Sequence, residues 1–470
     1  MPVPTSLAIP GALTVAALLL TACGGDSGQG APTASQASAE ASGVATAVAT
    51  AEASPAEASP AEASPAEASP AETAAATRVP VDPELFGTHV KDVAAGRQPL
   101  PPQAGAIRFW DAGIAWRQLE PRPGQIDWAA MDRAVEQAES TGARDLMWVH
   151  GSPPQWAATD PQSPGLYGPG TTSAPDRKAY LRILRKVAER YRGRITSYQV
   201  WNEANISIFY RGGPKKLARL TLEAKDVLAE ADPEALLIGA STTVRTAGPV
   251  KGWYEKYAAG LAERGWPVDA MAVHLYPPAE QGVDERAEYI QTMRRWLAAR
   301  GWTGPMWDTE VNFGDRRDFA PTIVTVPQRR AAAWVARTYI DSLALGVDRV
   351  YWYAWNDHIL GIDQVDPSTG EMLPAGQAYL TVQDWFDGAR WQGCIGELMA
   401  PTGQKGALTT CTLTTSKGRP AQILFTHRGR ATAPLPAGAH KVCSLNGTCT
   451  PTEGDSVRVT TSPVLIRVRG

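Results

Sequence analysis

Between Cys23 and Cys394 this sequence of 470 residues has no cysteine, so that long stretch holds neither a disulfide nor a thiolate metal site. It also lacks an excess of charge: a formal net charge of −3 gives no support to nucleic-acid or acidic-polymer binding. No apolar run near the start is long enough to span a membrane, since Leu7 to Leu20 is only about fourteen residues and is interrupted by Pro10. No His-Glu-x-x-His pair offers helical zinc ligands, and no Gly-x-Ser-x-Gly marks a serine nucleophile. No glycine-rich phosphate loop follows the first candidate strand, which weakens a doubly wound dinucleotide fold. Neither a cofactor nor a metal is expected.

What is present divides the chain in four. Residues 1–22 read as a signal peptide, and Leu20-Thr21-Ala22-Cys23 resembles a bacterial lipobox, which would make Cys23 the lipidated mature N-terminus. No Lys or Arg precedes the apolar run, and an ordinary cleaved signal peptide is the competing reading. Residues 23–77 collapse to Ala, Ser, Pro, Glu and Gly, with Ala-Glu-Ala-Ser-Pro repeated four times between Ala51 and Pro70. Such a tract cannot bury a core and reads as a disordered spacer.

Residues 78–390 alternate short apolar strands with amphipathic helical patterns. The strands expected are Leu85–Val90, Ala106–Trp110, Leu146–His150, Ser197–Glu203, Ala235–Ala240, Ala270–Leu275, Met306–Glu310 and Arg349–Trp355. Helices are expected over Trp128–Ser140, Arg177–Tyr191, Lys215–Glu230, Glu285–Ala299 and Gln328–Leu345, where apolar residues recur at spacings of three and four. Eight strands with intervening helices predict a (β/α)8 barrel of the α/β class. All 16 Trp fall between Trp110 and Trp391, a supply of flat apolar faces suited to core filling or to stacking on sugar rings.

Residues 391–470 change texture. Val, Thr, Leu and Ile alternate with polar residues, as in Leu408–Thr415, Gln422–Thr426 and Ser456–Thr460, and predict a small all-β sandwich. Cys394, Cys411, Cys443 and Cys449 all lie here. Cys443 to Cys449 can form a hairpin whose three-residue loop ends at Gly447, placing the two cysteines opposite each other. That favours Cys443–Cys449 and Cys394–Cys411, with a tetrathiolate zinc site as the alternative.

Two carboxylates mark the candidate site. Ser197–Glu203 ends in Asn202-Glu203, and Met306–Glu310 ends in Asp308-Thr309-Glu310. In a (β/α) barrel the carboxyl ends of the strands carry the chemistry, so acids ending strands four and seven face each other across the mouth. Glycoside hydrolysis needs such a pair.

In this arrangement the sequence resembles the clan-A glycoside hydrolases. Arg108-Phe109-Trp110-Asp111-Ala112-Gly113-Ile114-Ala115-Trp116, the following Pro-Gly-Gln-Ile-Asp-Trp, and Ser152-Pro153-Pro154-Gln155-Trp156 make it most similar to family 39, which includes exopolysaccharide-linked glycosyl hydrolases. The resemblance implies Glu203 as acid/base and Glu310 as nucleophile. It gives Asn202 to the sugar 2-OH and Arg108 to the ionised nucleophile. His274 and Tyr276 orient that nucleophile, and Trp355 floors the subsite. His150 and Trp156 line the substrate groove, with Asp111 and Asp357 as further hydroxyl contacts. Each residue also has a plain structural reading. Arg108 could pair with Asp308, which lies two residues before Glu310 on the same side of its strand. His274 and Trp355 could be core, and Tyr276 a turn anchor before Pro277-Pro278.

The sequence and this resemblance together predict an exported, envelope-anchored retaining glycosidase, monomeric, acting on an oligo- or polysaccharide; the resemblance to clan A implies β-D or α-L linkages. Its rivals are a family 5-like endoglycanase and a non-catalytic polysaccharide-binding envelope lipoprotein. The loops Phe313–Val326 and Asp357–Thr369 are expected to shape the subsites.

Overall fold

The computed structural model describes residues 79–245, 250–315, 324–399 and 401–469. The signal segment, Cys23, the repeat tract and residues 316–323 of the loop Phe313–Val326 lie outside them. No helix among the described residues is long and apolar enough to cross a membrane.

Eight parallel strands form the centre: β1 (Phe86–Thr88), β2 (Ala106–Phe109), β3 (Asp145–Val149), β4 (Ser197–Gln199), β5 (Leu236–Ile238), β6 (Met271–His274), β7 (Met306–Val311) and β8 (Arg349–Trp352). Their order is β5-β4-β3-β2-β1-β8-β7-β6, with the two-residue strand Thr242–Thr243 beside β6. A parallel bridge from Ile238 to Ala270 joins β5 to β6 and closes the ring. The result is the (β/α)8 barrel expected from the alternation.

The period-two geometry of strands sorts residues between two layers. Ala106, Met147, Ile238, Ala270, Ala272, Trp307 and Tyr351 fill the barrel interior. Their neighbours Ile107, Phe109, Leu146, Trp148, Tyr198 and Val273 face outward and join the larger core beneath the helices. The helix Arg177–Arg190 meets that layer with Tyr180, Ile183, Leu184, Val187 and Ala188, one face of a 3.6-residue period. Its start is set by Asp176, whose carboxylate accepts the Ala179 N–H at 2.8 Å. The helices Glu255–Ala262 and Pro374–Phe386 were not among those expected; the first is short and the second is rich in residues buried on several faces.

The C-terminal region is antiparallel: β9 (Arg390–Gly396), β10 (Leu408–Thr414), β11 (Pro420–Thr426), β12 (Arg430–Pro434), β13 (Ala439–Cys443), β14 (Cys449–Pro451), β15 (Ser456–Thr460) and β16 (Val464–Val468). β9-β10-β11-β16-β13-β14 form one sheet, and β12 pairs with β15 in a second. Alternation again divides the faces. Leu413, Ala421, Ile423, Phe425 and Leu465 join the core of the barrel, whereas Leu424 and Ile466 pack on Ala433 and Val459 of the two-stranded ribbon. The large sheet is thus sandwiched between barrel and ribbon. Val79–Pro80, ahead of the first barrel strand, pairs with Trp391 and Arg390 of β9 and extends this sheet.

Disulfides join Cys394 to Cys411 and Cys443 to Cys449. Cys443 and Cys449 are register partners in the β13–β14 hairpin, whose loop ends at Gly447 with φ of 82°, a left-handed position suited to glycine.

Candidate active site

Glu310 reaches the barrel mouth through an irregularity in β7. Val350 pairs with Asp308 and Trp352 with Val311, so Thr309 and Glu310 together oppose the single residue Tyr351. This is a β-bulge, and it breaks the alternation. Asp308 turns outward, where Arg286 holds its carboxylate at 2.6 Å. Thr309 and Glu310 both meet groups of the mouth. Asp308 and Glu310 therefore do not share a side of the strand, and Arg108 pairs with Glu310 rather than with Asp308.

Arg108 sits at the centre, fully buried, inward from β2 by the same parity as Ala106. Its Nη1 donates to Glu310 Oε2 at 3.0 Å, its Nη2 to Asn202 Oδ1 at 2.7 Å, and its Nε to Gln199 Oε1 at 2.8 Å. One guanidinium thus fixes three side chains, a use of its planar fork that a lysine could not reproduce. Tyr276 OH donates to Glu310 Oε1 at 2.9 Å. Glu310 therefore has a hydrogen-bond donor on each oxygen.

Glu203 lies beyond the regular end of β4, which stops at Gln199, four residues short of the expected Glu203. Its backbone is left-handed, with φ of 40°, strained for a residue with a Cβ. Ser241 Oγ holds that strain by accepting the Glu203 N–H at 2.8 Å. His274 Nδ1 is 3.1 Å from Glu203 Oε1, and His274 Nε2 is 3.1 Å from Thr309 Oγ1. Gln199 Nε2 donates to the same Thr309 oxygen at 3.2 Å.

These contacts form a directed chain. Arg108 sets the Gln199 amide so that its NH2 points at Thr309. The Thr309 hydroxyl is then left to donate to His274 Nε2, and His274 Nδ1–H to donate to Glu203. That tautomer is assigned from the network.

Burial governs the charges. It lowers the His274 pKa to about 3, so the ring is neutral near pH 7. It raises Glu203 to about 7, against the pull of Arg108. Burial also raises Glu310, but there the guanidinium and the Tyr276 hydroxyl favour the ionised form directly. Of the two carboxyl groups, Glu203 is the one fitted to hold a proton. Asn202 has its oxygen on Arg108 and its Nδ2 buried without a partner, a donor aimed at no protein group.

Glu203, His274 and Glu310 present oxygen and nitrogen atoms within 4.8 Å of one another. A cation among them would lie beside the Arg108 charge, with both Glu310 oxygens already engaged. Proton chemistry suits this set better than metal binding.

The structure brings together Arg108, Asn202, Glu203, His274, Tyr276 and Glu310. Three others lie elsewhere. His150 has the outward parity of Trp148, stacks on that ring and on Tyr180, and bonds the Tyr180 carbonyl at 3.0 Å. Trp156 packs edge-on against Trp116 and donates to the Glu120 carbonyl. Trp355 lies past the end of β8, 1% exposed, against Tyr379 of the last barrel helix. The aromatic residue that β8 brings to the mouth is Tyr353, edge-on to His89 and donating to Asp111 Oδ2 at 2.7 Å. Asp111 also accepts from Tyr167 at 2.9 Å, while Asp357 is held by Lys91 and Arg97.

Gln199, Thr309 and His89 belong to the site and were missed. His89 Nε2 lies 3.1 Å from the Thr309 carbonyl. A signal for Gln199 existed: it is a polar residue with the inward parity of Ser197, on the strand that leads to Asn202 and Glu203.

No protein-family profile and no curated protein sequence matches the chain. Solved structures do. A conserved exported protein from Bacteroides fragilis aligns with a TM-score of 0.60 at 13% identity, covering 84% of this chain and 98% of that one. A glucosidase from Croceicoccus marinus aligns at 0.59 and 14% identity over the same shares. The catalytic domain of GH30 xylanase C from Talaromyces cellulolyticus aligns at 0.57 and 13%, again covering 84% and 98%. At such identities the likeness is one of fold alone, shared with proteins that include a xylanase catalytic domain and a glucosidase.

Proposed function

We propose that this protein is a retaining O-glycosidase, hydrolysing β-D or α-L glycosidic bonds of an extracellular or cell-envelope polysaccharide by double displacement. The observation that carries the reading is the spacing of the two acids. One oxygen of Glu203 and one of Glu310 lie within 4.8 Å of each other, and His274 Nδ1 lies 3.1 Å from Glu203 Oε1 and 3.9 Å from Glu310 Oε2, so the two carboxyl groups sit on the short side of the known range. Retaining enzymes hold their carboxyl groups about 5–5.5 Å apart, whereas inverting enzymes leave about 6.5–9.5 Å for a water.

Glu310 attacks the anomeric carbon while Glu203 gives its proton to the leaving oxygen. The glycosyl-enzyme ester is then opened by water, whose proton returns to Glu203. Arg108 keeps Glu310 ionised for attack and holds Asn202 with Nδ2 free for the sugar 2-OH, a contact that strengthens in the transition state. The xylanase and glucosidase names among the similar folds support sugar as the substrate class. The motifs around Arg108 and Ser152–Trp156 support family 39 within clan A. The two disulfides support an oxidising compartment, hence export. Attachment through Cys23 remains our reading of the lipobox. A complete acid pair argues for an enzyme rather than a binding scaffold.

The test is hydrolysis of a panel of 4-nitrophenyl β-D-xylosides, β-D-glucosides and α-L-arabinosides with the corresponding oligosaccharides, following the anomer formed by NMR. Retention, lost in Glu310→Gln, supports the reading; inversion by the wild type rejects it.

A further inference from the structure

The retaining reading fixes how a sugar must lie. The ring under attack sits on Glu310, its 2-OH at Asn202 Nδ2, and the leaving oxygen at Glu203. The leaving group therefore extends beyond Glu203, and the rest of the attacked sugar extends the other way.

The two directions differ in the structure. Beyond Glu203 the chain offers polar groups: Ser241 on its backbone, Thr243, and Arg245 paired with Asp315 at 2.7 Å. Beside Glu310 lies an aromatic wall. Tyr276, Tyr353 and Trp110 belong to one buried cluster, against which Tyr167 and Phe209 pack. Tyr276, whose hydroxyl donates to Glu310 Oε1 at 2.9 Å, belongs to the same cluster and sets the wall beside the nucleophile.

Asp111 is the keystone of the wall. Its Oδ1 takes the Tyr167 hydroxyl at 2.9 Å and its Oδ2 the Tyr353 hydroxyl at 2.7 Å. This ties the end of β2 to the loop after β3 and to the end of β8. Trp110 then continues the wall to the loop after β4, with its ring 5.6 Å from Tyr167 and 6.2 Å from Phe209, both edge-on. The Arg117 guanidinium backs it, 3.9 Å from the Tyr167 ring. These contacts join the ends of β2 and β8 to the loops after β3 and β4 in one continuous wall.

We infer that the pocket behind Glu310 is blind and holds one terminal sugar, so that the enzyme is exo-acting and releases a single monosaccharide per cycle from the non-reducing end. Asp111, Tyr167 and Tyr353 are then specificity-determining residues. A carboxylate has about four acceptor positions, so Asp111 can take a sugar hydroxyl while keeping both tyrosines. The phenol oxygens face the free hydroxyls that only a chain end presents, and the aromatic faces cover the apolar side of the ring. The inference rests on the glycosidase reading above and adds to it the form of the substrate.

The experiment uses reducing-end-labelled xylo- and gluco-pentaoses with the aryl glycoside panel. The wild type should give free monosaccharide and a labelled product one unit shorter from the first time point. Asp111→Ala should open the wall, and Tyr167→Phe/Tyr353→Phe should loosen it while keeping the rings. In both variants kcat/KM for aryl diglycosides relative to aryl monoglycosides should rise by about tenfold or more, the scale of a changed subsite contact. Mid-chain fragments from the wild type that disappear in Glu310→Ala would overturn exo action and leave the glycosidase reading standing. An unchanged ratio in both variants would overturn the role of the wall. Absence of cleavage in every substrate would instead reject the glycosidase reading itself.

Discussion

Arg108 and Glu310 form a buried ion pair across the barrel mouth, with Nη1 and Oε2 3.0 Å apart. The same guanidinium holds Asn202 and Gln199, so its removal disturbs nucleophile, sugar contact and acid orientation together. Charge-assisted hydrogen bonds of this kind contribute about 1.5–3 kcal/mol. Arg108→Lys, which can keep one partner of three, should lower kcat/KM by about 10- to 100-fold. Arg108→Met should also destabilise the fold by about 3–5 kcal/mol, because Glu310 is left buried and unpaired. Steady-state kinetics and denaturant unfolding measure the two effects separately.

The acid limb of the chemistry lies with Glu203. Burial raises its pKa from 4.5 to about 7, and it must be protonated to act. Turnover should therefore fall on an alkaline limb with a midpoint near 7. The stability given by the protonated carboxyl is complete below about 4.5 and is lost as pH rises through about 7. Glu203→Gln should remove that alkaline decline in Tm. Thr309→Val should move the kinetic limb upward: without the Thr309 hydroxyl, His274 is free to carry its proton on Nε2, and ionised Glu203 loses a donor. A limb that stays in place in Thr309→Val rejects the directed chain from Gln199 to Glu203.

How far the sequence could be read depends on where strand alternation holds. The family resemblance assigned Arg108 and His274 to the site, and strand parity agrees with it: each shares the inward side of a small residue on its strand, Ala106 or Ala272. The same rule, applied to His150, places it outward with Trp148. Past a strand end the rule lapses, which is why Trp355 packs on Tyr379 while Tyr353 takes the mouth. Glu310 defied parity altogether. Its inward aim comes from a bulge set by pairing with β8, a non-local feature that no local pattern in β7 encodes. The network through Gln199 and Thr309 was hidden for a related reason: ordinary polar residues acquire a role only when three strands converge.

The disulfides should stabilise the β-region unequally. Cys394–Cys411 closes a separation of 17 residues and Cys443–Cys449 one of 6, so loop entropy assigns about 3 kcal/mol to the first and about 2 to the second. The double variants Cys394→Ala/Cys411→Ala and Cys443→Ala/Cys449→Ala should lower Tm in that order. Mass spectrometry of unreduced protein should find no free thiol at these four positions, and stoichiometric zinc would contradict the pairing.

Cys23 should carry lipid. Leu20-Thr21-Ala22-Cys23 and the repeat tract after it suit a tethered domain. Cys23→Ala should take up no labelled fatty acid and should change its fractionation; partition identical to the parent, with no lipid-dependent mass difference, rejects the anchor.

The most direct test of the central claim is the stereochemistry of azide rescue. Glu203→Ala, assayed on an aryl glycoside whose phenolate leaves without protonation, should still form the Glu310 ester. Added azide should then open it and yield a glycosyl azide of retained configuration. Glu310→Ala can form no ester, so azide should attack the sugar directly and yield the inverted product. The opposite pairing of variant and configuration would contradict the assignment of Glu310 as nucleophile and Glu203 as acid/base.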